Sequence, residues 1–141
     1  MTGPVRTNRQ RGGVSPWMLA VIAAVLGSIY VFYGDKLLPA PEAVQPNNPA
    51  GIDAAILERI ATYADRVDGD PRNGEKHGEL GIVYEANNLW EEAIECYAIA
   101  AKYDGQNPMW DFHRAICMRG TGDAAGSLPL LEDVVLRAPE H

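Results

Sequence analysis

The feature that most constrains the fold is a pattern of small and aromatic residues with a period of 34 residues. Units of this length cannot bury an apolar face alone, so they stack and bury it against their neighbours. The sequence therefore predicts an all-α solenoid built from helical hairpins. The pattern consists of Leu80-Gly81-x-x-Tyr84, then Ala93-x-x-x-Tyr97-x-x-Ala100, with prolines at Pro71 and Pro139.

Apolar residues three and four positions apart predict the helices of this solenoid. Ile56 and Ile60 belong to the apolar face of the first, which we place at 52–67 and which ends at a Gly and Pro turn. The fifth contains Pro129, which predicts a kink or a delayed start. The remaining helices are predicted at about 74–87, 90–103, 109–119 and 124–136.

The motif at 74–107 resembles the tetratricopeptide (TPR) repeat, and the resemblance covers about 90 residues. It weakens over 108–141, where Arg114 and Ala115 replace Leu-Gly and Ser127 replaces alanine. The resemblance implies two and a half repeats in a domain at 52–141, with repeats at about 74–107 and 108–141. It assigns structural roles to Leu80, Gly81, Tyr84, Ala93, Tyr97, Ala100 and Pro139.

The last hairpin has no capping helix after it in this sequence. We expect it to expose Leu128, Leu130 and Val134. Two explanations stay open: the sequence is a truncated stretch of a longer protein, or a partner covers this face.

An uncharged run precedes the repeats, from Pro16 to Tyr33. Trp17 at one end and Tyr30 and Tyr33 at the other are typical of rings at a membrane interface. The run predicts a transmembrane helix at 15–33 and hence a lipid bilayer as a partner. A cleaved signal peptide is the alternative, but the apolar core is longer than such peptides usually have.

Charge is divided unevenly along the chain. Residues 1–34 carry +3 and residues 35–141 carry −10. By the positive-inside rule, this predicts a basic cytoplasmic tail at 1–14 and a periplasmic domain, on a bacterial cytoplasmic (inner) membrane crossed once. Lys36 weakly opposes the asymmetry.

Two further features surround the predicted span. Small residues along it form a stripe that favours close packing against another membrane protein, although such residues are also common in spans generally. The stripe consists of Ala20, Ala23, Ala24, Gly27 and Ser28. On the other side of the predicted span, residues 34–51 contain four prolines and predict an extended, semi-rigid linker.

No motif in the sequence predicts catalysis or a cofactor. Phosphate loops, metalloprotease His pairs and haem-attachment motifs are missing, and the net charge of −7 disfavours nucleic acid as a partner. Met109, His113 and Cys117 carry soft ligand atoms but lie in one row of a helix, where they cannot surround an ion. We predict no enzymatic activity, no cofactor, no metal and no small-molecule substrate.

Cys96 and Cys117 are the two cysteines of the chain. The TPR resemblance implies that the helices carrying them are neighbours. Two alternatives stay open: a disulfide in an oxidising periplasm, or two buried free thiols.

The resemblance also implies that the concave face binds partners. Its acidic rim beside an apolar patch suits a peptide or helix with basic and apolar residues, although a merely solvated acidic face is the alternative. The Lys and Asn that clamp a terminal carboxylate in chaperone-binding TPR domains are replaced by residues such as Gly78. The predicted groove comprises Glu75, Glu79, Ile82, Glu85, Met109, Phe112, His113, Ile116 and Arg119.

Together these features predict a non-catalytic, membrane-anchored TPR scaffold that assembles or stabilises a membrane protein complex. TPR proteins of similar layout act in envelope assembly, including c-type cytochrome maturation. The main alternative is a permanent accessory subunit of a membrane electron-transfer or photosynthetic complex.

Overall fold

The computed structural model describes residues 15–138, apart from the side chains of Phe32, Asp35 and Leu37. The predicted tail at 1–14 and Pro139 lie outside the described residues. The chain divides after Pro39 into two units, each described by itself below.

The first unit contains one helix, α1, at Pro16–Leu37. Pro16 occupies the first helical position, where its missing N–H costs nothing. Ser28 Oγ donates a hydrogen bond to the Ala24 carbonyl at 2.9 Å within the helix. The predicted stripe from Ala20 to Ser28 is exposed, and a Cβ added at Gly27 would meet no atom within 4 Å.

The prediction of a transmembrane helix is wrong. Among residues 15–138, none of the helices combines the length and the apolar character that crossing a bilayer requires. The uncharged part of α1 ends at Gly34, before Asp35 and Lys36 in the last turns. From Trp17 it rises about 25 Å, which is less than the roughly 30 Å of a hydrocarbon core. The inner-membrane location rested on this span and stays a prediction.

The second unit consists of five α-helices, which lie close to the predicted ones. A short 3₁₀ helix, Pro49–Gly51, precedes them. The last α-helix continues through Pro129 from Ala124, so the predicted delayed start does not occur. No strand occurs within residues 15–138. The helices are α2 (Ala54–Asp68), α3 (Gly74–Ala86), α4 (Trp90–Tyr103), α5 (Met109–Gly120) and α6 (Ala124–Arg137).

Helices α2 to α6 pack mainly against the helices before and after them in the chain. Side-chain caps set the N-terminal ends of α2, α3 and α6. Asp53, Asn73 and Asp123 each accept a hydrogen bond from a backbone N–H in the first turn of α2, α3 and α6. Such caps satisfy donors that a helix cannot pair internally. Because consecutive helices are joined by short turns and pack against each other, the second unit is a series of helical hairpins.

The turns inside the two hairpins repeat each other after 34 residues. Asn88 and Gly122 both have positive φ, 59° and 92°. Leu89 N–H donates to the Tyr84 carbonyl at 3.0 Å, and Asp123 N–H donates to the Met118 carbonyl at 2.8 Å. The period read from the sequence thus has a counterpart in backbone geometry.

The core is centred between α3 and α4 and extends to α2, α5 and the segment before α2. Leu80, Tyr84, Ala93, Tyr97 and Ala100 are all fully buried. A Cβ added to Gly81 would lie 2.8 Å from Tyr97 Cε1, so glycine is needed for this ring to reach α3. Gly78 has the same role between α3 and α5, because a Cβ there would overlap the Trp110 ring.

Part of the proline-rich segment packs on the helices, whereas the sequence predicted a linker over all of 34–51. Residues 40–47 have no regular structure, yet Ala43 and Val44 are buried in the core. Tyr84 Oη donates to the Val44 carbonyl at 2.7 Å. We call residues 40–47 the strap. Sequence reasoning missed it because prolines block secondary structure without preventing burial.

Candidate peptide-binding groove

A row of apolar side chains is exposed along α3 and α5. The exposed fractions are 46% for Ile82, 51% for Met109, 38% for Phe112 and 36% for Ile116. Large exposed apolar patches mark interaction sites more often than they mark ordinary surface. We call this row, with the acidic residues of α3 beside it, the groove.

The groove continues into an apolar cleft between α5 and α6. Met109 and Phe112 form one wall. The cleft has a volume of about 570 Å³. Its remaining lining residues are Asn107, Pro108, Leu131, Val134, Val135 and Ala138.

Sequence reasoning placed Val134 among the exposed residues of the last hairpin and left open that a partner covers this face, but it did not include α6 in the predicted groove. Leu128, Val135 and Leu136 are exposed large hydrophobic residues, while Leu130 and Val134 are half-buried. The second half of α6 is rich in Leu and Val, and this feature of the sequence could have predicted an apolar surface there.

Three glutamates of α3 belong to the acidic side of the groove. Glu75 is exposed. Glu79 Oε2 pairs with Arg66 Nη2 of α2 at 2.7 Å, in a half-exposed position where an ion pair contributes little to stability. Glu85 differs from both, because side chains of two other helices hold its carboxylate.

Glu85 Oε2 is the meeting point of these contacts. Tyr97 Oη of α4 donates to it at 2.6 Å, and His113 Nδ1 of α5 lies 2.9 Å from it. The Tyr97 ring stacks on the His113 ring with centroids 5.4 Å apart. Burial, and then the bond to Glu85, raise the pKa of Tyr97, so its hydroxyl stays protonated and donates. The arrangement fixes one carboxylate beside the apolar row.

The three soft-ligand residues of α5 do not converge. Met109 is exposed, His113 contacts Glu85, and Cys117 is fully buried. Among the described residues, no three His, Cys, Asp or Glu side chains are grouped so that they could hold a metal ion.

Both cysteines are free and buried. Burial raises the pKa of Cys117 to about 12 and raises that of Cys96 as well. Because the thiolate is the reactive form, neither thiol is a good nucleophile at neutral pH.

The predicted groove residues lie on two helices. The glutamates and Ile82 belong to α3, and the other five residues belong to α5. Arg119, near the end of α5, is exposed. Sequence reasoning missed Trp110, which is buried against Gly78 and donates from Nε1 to Asp104 Oδ2 at 2.9 Å.

No protein-family model matches the chain, and neither a curated protein nor a solved structure is significantly similar to it.

Proposed function

We propose that this protein is a non-catalytic adaptor of the TPR type, which binds a segment of a partner protein in the groove. The 34-residue period and the equivalent turns at Asn88 and Gly122 support the TPR assignment. The observation that carries the function is the exposed apolar row, which adjoins a cleft of about 570 Å³.

The charges beside the row define the partner segment. Glu75 and Glu85 of α3 make that side acidic, whereas Arg66 balances the charge of Glu79. The groove is complementary to a segment whose apolar residues contact Ile82 and Phe112 and whose Lys or Arg residues face the glutamates of α3. The partner's apolar residues supply affinity, and its basic residues supply orientation and speed of association.

A photocrosslinking residue at Phe112, in the full-length protein expressed in its native host, tests this proposal. The matched control places the same residue at Lys102, which is exposed on α4. We expect a discrete adduct at position 112 that Ile82→Glu abolishes. Identical adducts at both positions, or adducts that persist with Ile82→Glu, would contradict a groove function.

The cleft favours a specific version of this function, in which the adaptor is a permanent subunit of a protein complex. A 570 Å³ apolar cleft left open to water is unfavourable for a protein that is free for most of its life. The partner of a permanent subunit co-purifies in fixed ratio after stringent washing, whereas that of an assembly factor is lost.

A further inference from the structure

The strap is held in the manner of a bound peptide. Asp68 Oδ1 accepts from the Ala43 N–H at 3.4 Å, and Glu92 Oε1 accepts from the Asn47 N–H at 2.9 Å. Between them, Tyr84 Oη donates to the Val44 carbonyl at 2.7 Å. Side chains of the helices thus make hydrogen bonds with the main chain of an irregular segment.

The three holding side chains come from three different helices. Asp68 is the last residue of α2, Tyr84 belongs to α3, and Glu92 belongs to α4. Tyr84 is fully buried and Glu92 is 5% exposed, so their two side chains are shielded from water, whereas Asp68 is exposed. We call this arrangement of Asp68, Tyr84 and Glu92 the slot.

The side chains of the strap show what the slot selects. Ala43 and Val44 are buried, whereas Glu42 and Gln45 are exposed. Main-chain hydrogen bonds provide affinity for any extended segment, while the buried side chains select its sequence. The slot therefore fits a small residue followed by a β-branched one.

Prolines flank the buried pair at Pro41 and Pro46. Proline fixes φ and lowers the conformational entropy that a segment loses on binding. The peptide that fits the slot is thus extended, contains proline and has an Ala-Val pair.

We propose that the slot is a second peptide-recognition site, occupied here by the chain's own strap, which binds an extended Pro-x-Ala-Val-x-Pro segment of another protein when the strap is released. The proposal does not rest on the groove, since its residues belong to a separate set. The strap then acts as a competitor built into the chain.

The test uses the full chain with a specific protease site inserted in the exposed 3₁₀ segment Pro49–Gly51. Cleavage there severs the covalent link between α2 and the strap, which stays joined to α1, and leaves α2 to α6 on one chain. The probe is a fluorescent synthetic peptide of residues 38–48, and its binding is followed by anisotropy. We expect the cut protein to bind the peptide and the uncut protein to bind it at least tenfold more weakly.

Two variants identify the slot as the site of binding. Tyr84→Phe in the cut protein removes one buried hydrogen bond and should weaken binding about fivefold. Tyr103→Phe, at a tyrosine outside the slot, should leave binding unchanged. A peptide with Val44→Asp should not bind, whereas one with the exposed Gln45→Ala should bind as the original does.

Failure of the helical cut protein to bind the peptide would overturn the proposal. Loss of helical circular dichroism on cleavage would also overturn it, because the strap would then be an inseparable part of the fold. If the uncut chain exchanges its strap within a dimer, seen by its mass in solution, the partner is a second copy and the proposed separate protein is wrong.

Discussion

Helices α4 and α6 occupy equivalent places in successive hairpins, yet they are buried to very different extents. Ala93 and Tyr97 of α4 are fully buried. Their counterparts 34 residues later in α6 are Ser127, which is buried, and Leu131, which is half-buried. Helix α4 packs against α3 on one side and α5 on the other, whereas α6 packs mainly against α5 alone. In a stacked array, burial depends on having two neighbours more than on the residue type.

The largest effect should come from truncating the equivalent core residues in the two hairpins. Tyr97→Ala removes a buried ring and the donor to Glu85, so we expect it to lower the free energy of unfolding by about 3–5 kcal/mol. Leu131→Ala in the half-buried counterpart should cost about 1 kcal/mol. Urea denaturation of both variants measures the difference. Equal losses would mean that α6 is as well packed as α4.

A smaller effect should come from the contact between Gly81 and Tyr97. The second hairpin has Ala115 and Leu131 at the equivalent positions. Gly81→Ala places a Cβ 2.8 Å from the Tyr97 ring, so we expect a loss of about 1–2 kcal/mol. Combining Gly81→Ala with Tyr97→Leu recreates the Ala and Leu pair of the second hairpin. In the Tyr97→Leu background, Gly81→Ala should therefore cause no loss of unfolding free energy.

The control for the Gly81 cycle is Gly51→Ala, whose Cβ would meet only the Asn48 side chain, with Nδ2 nearest at 3.5 Å. We expect a change of less than about 0.5 kcal/mol. Additive effects of Gly81→Ala and Tyr97→Leu in thermal or urea unfolding would contradict a direct steric contact.

The smallest effect concerns the turn before α3, whose Asp70 and Asn73 correspond to Asp104 and Asn107 before α5. Asn73 Nδ2 donates to Asp70 Oδ2 at 3.1 Å. This bond, with a lesser contribution from Lys76, holds the pKa of Asp70 below its usual 3.8. The ionised carboxylate thus stabilises the fold at pH values above about 4, and this stabilisation is lost as the pH falls through the lowered pKa.

Asn73→Ser tests that turn, because serine keeps an acceptor for the helix cap but has no amide donor. We expect the pKa of Asp70, followed by NMR titration of its carboxyl carbon, to rise toward 3.8. Lys76→Gln is the matched control and should produce a smaller rise. A larger rise with Lys76→Gln would show that charge, and not the amide, dominates.

Helix positions could be predicted because they depend on local signals. The bounds of α4 agree with the predicted 90–103, since apolar spacing and the following turn are both local. The prediction of a transmembrane helix was wrong because it relied on the absence of charge in a run of residues. Length and hydropathy together are the better test of whether a helix can cross a bilayer. The strap and the Glu85 contacts could not be predicted, because they join residues 12 to 45 positions apart through side-chain geometry.

The strap also changes how far apart in sequence the contacting residues of the second unit are. Helices that contact mainly their neighbours in sequence fold quickly and open from their ends, because few contacts close a long loop. The strap's hydrogen bonds close loops of 25, 40 and 45 residues around the first hairpins. While the strap is bound, they link α2, α3 and α4 through one segment. Amide hydrogen exchange should therefore be slowest in these helices, with α6 free to open and close alone.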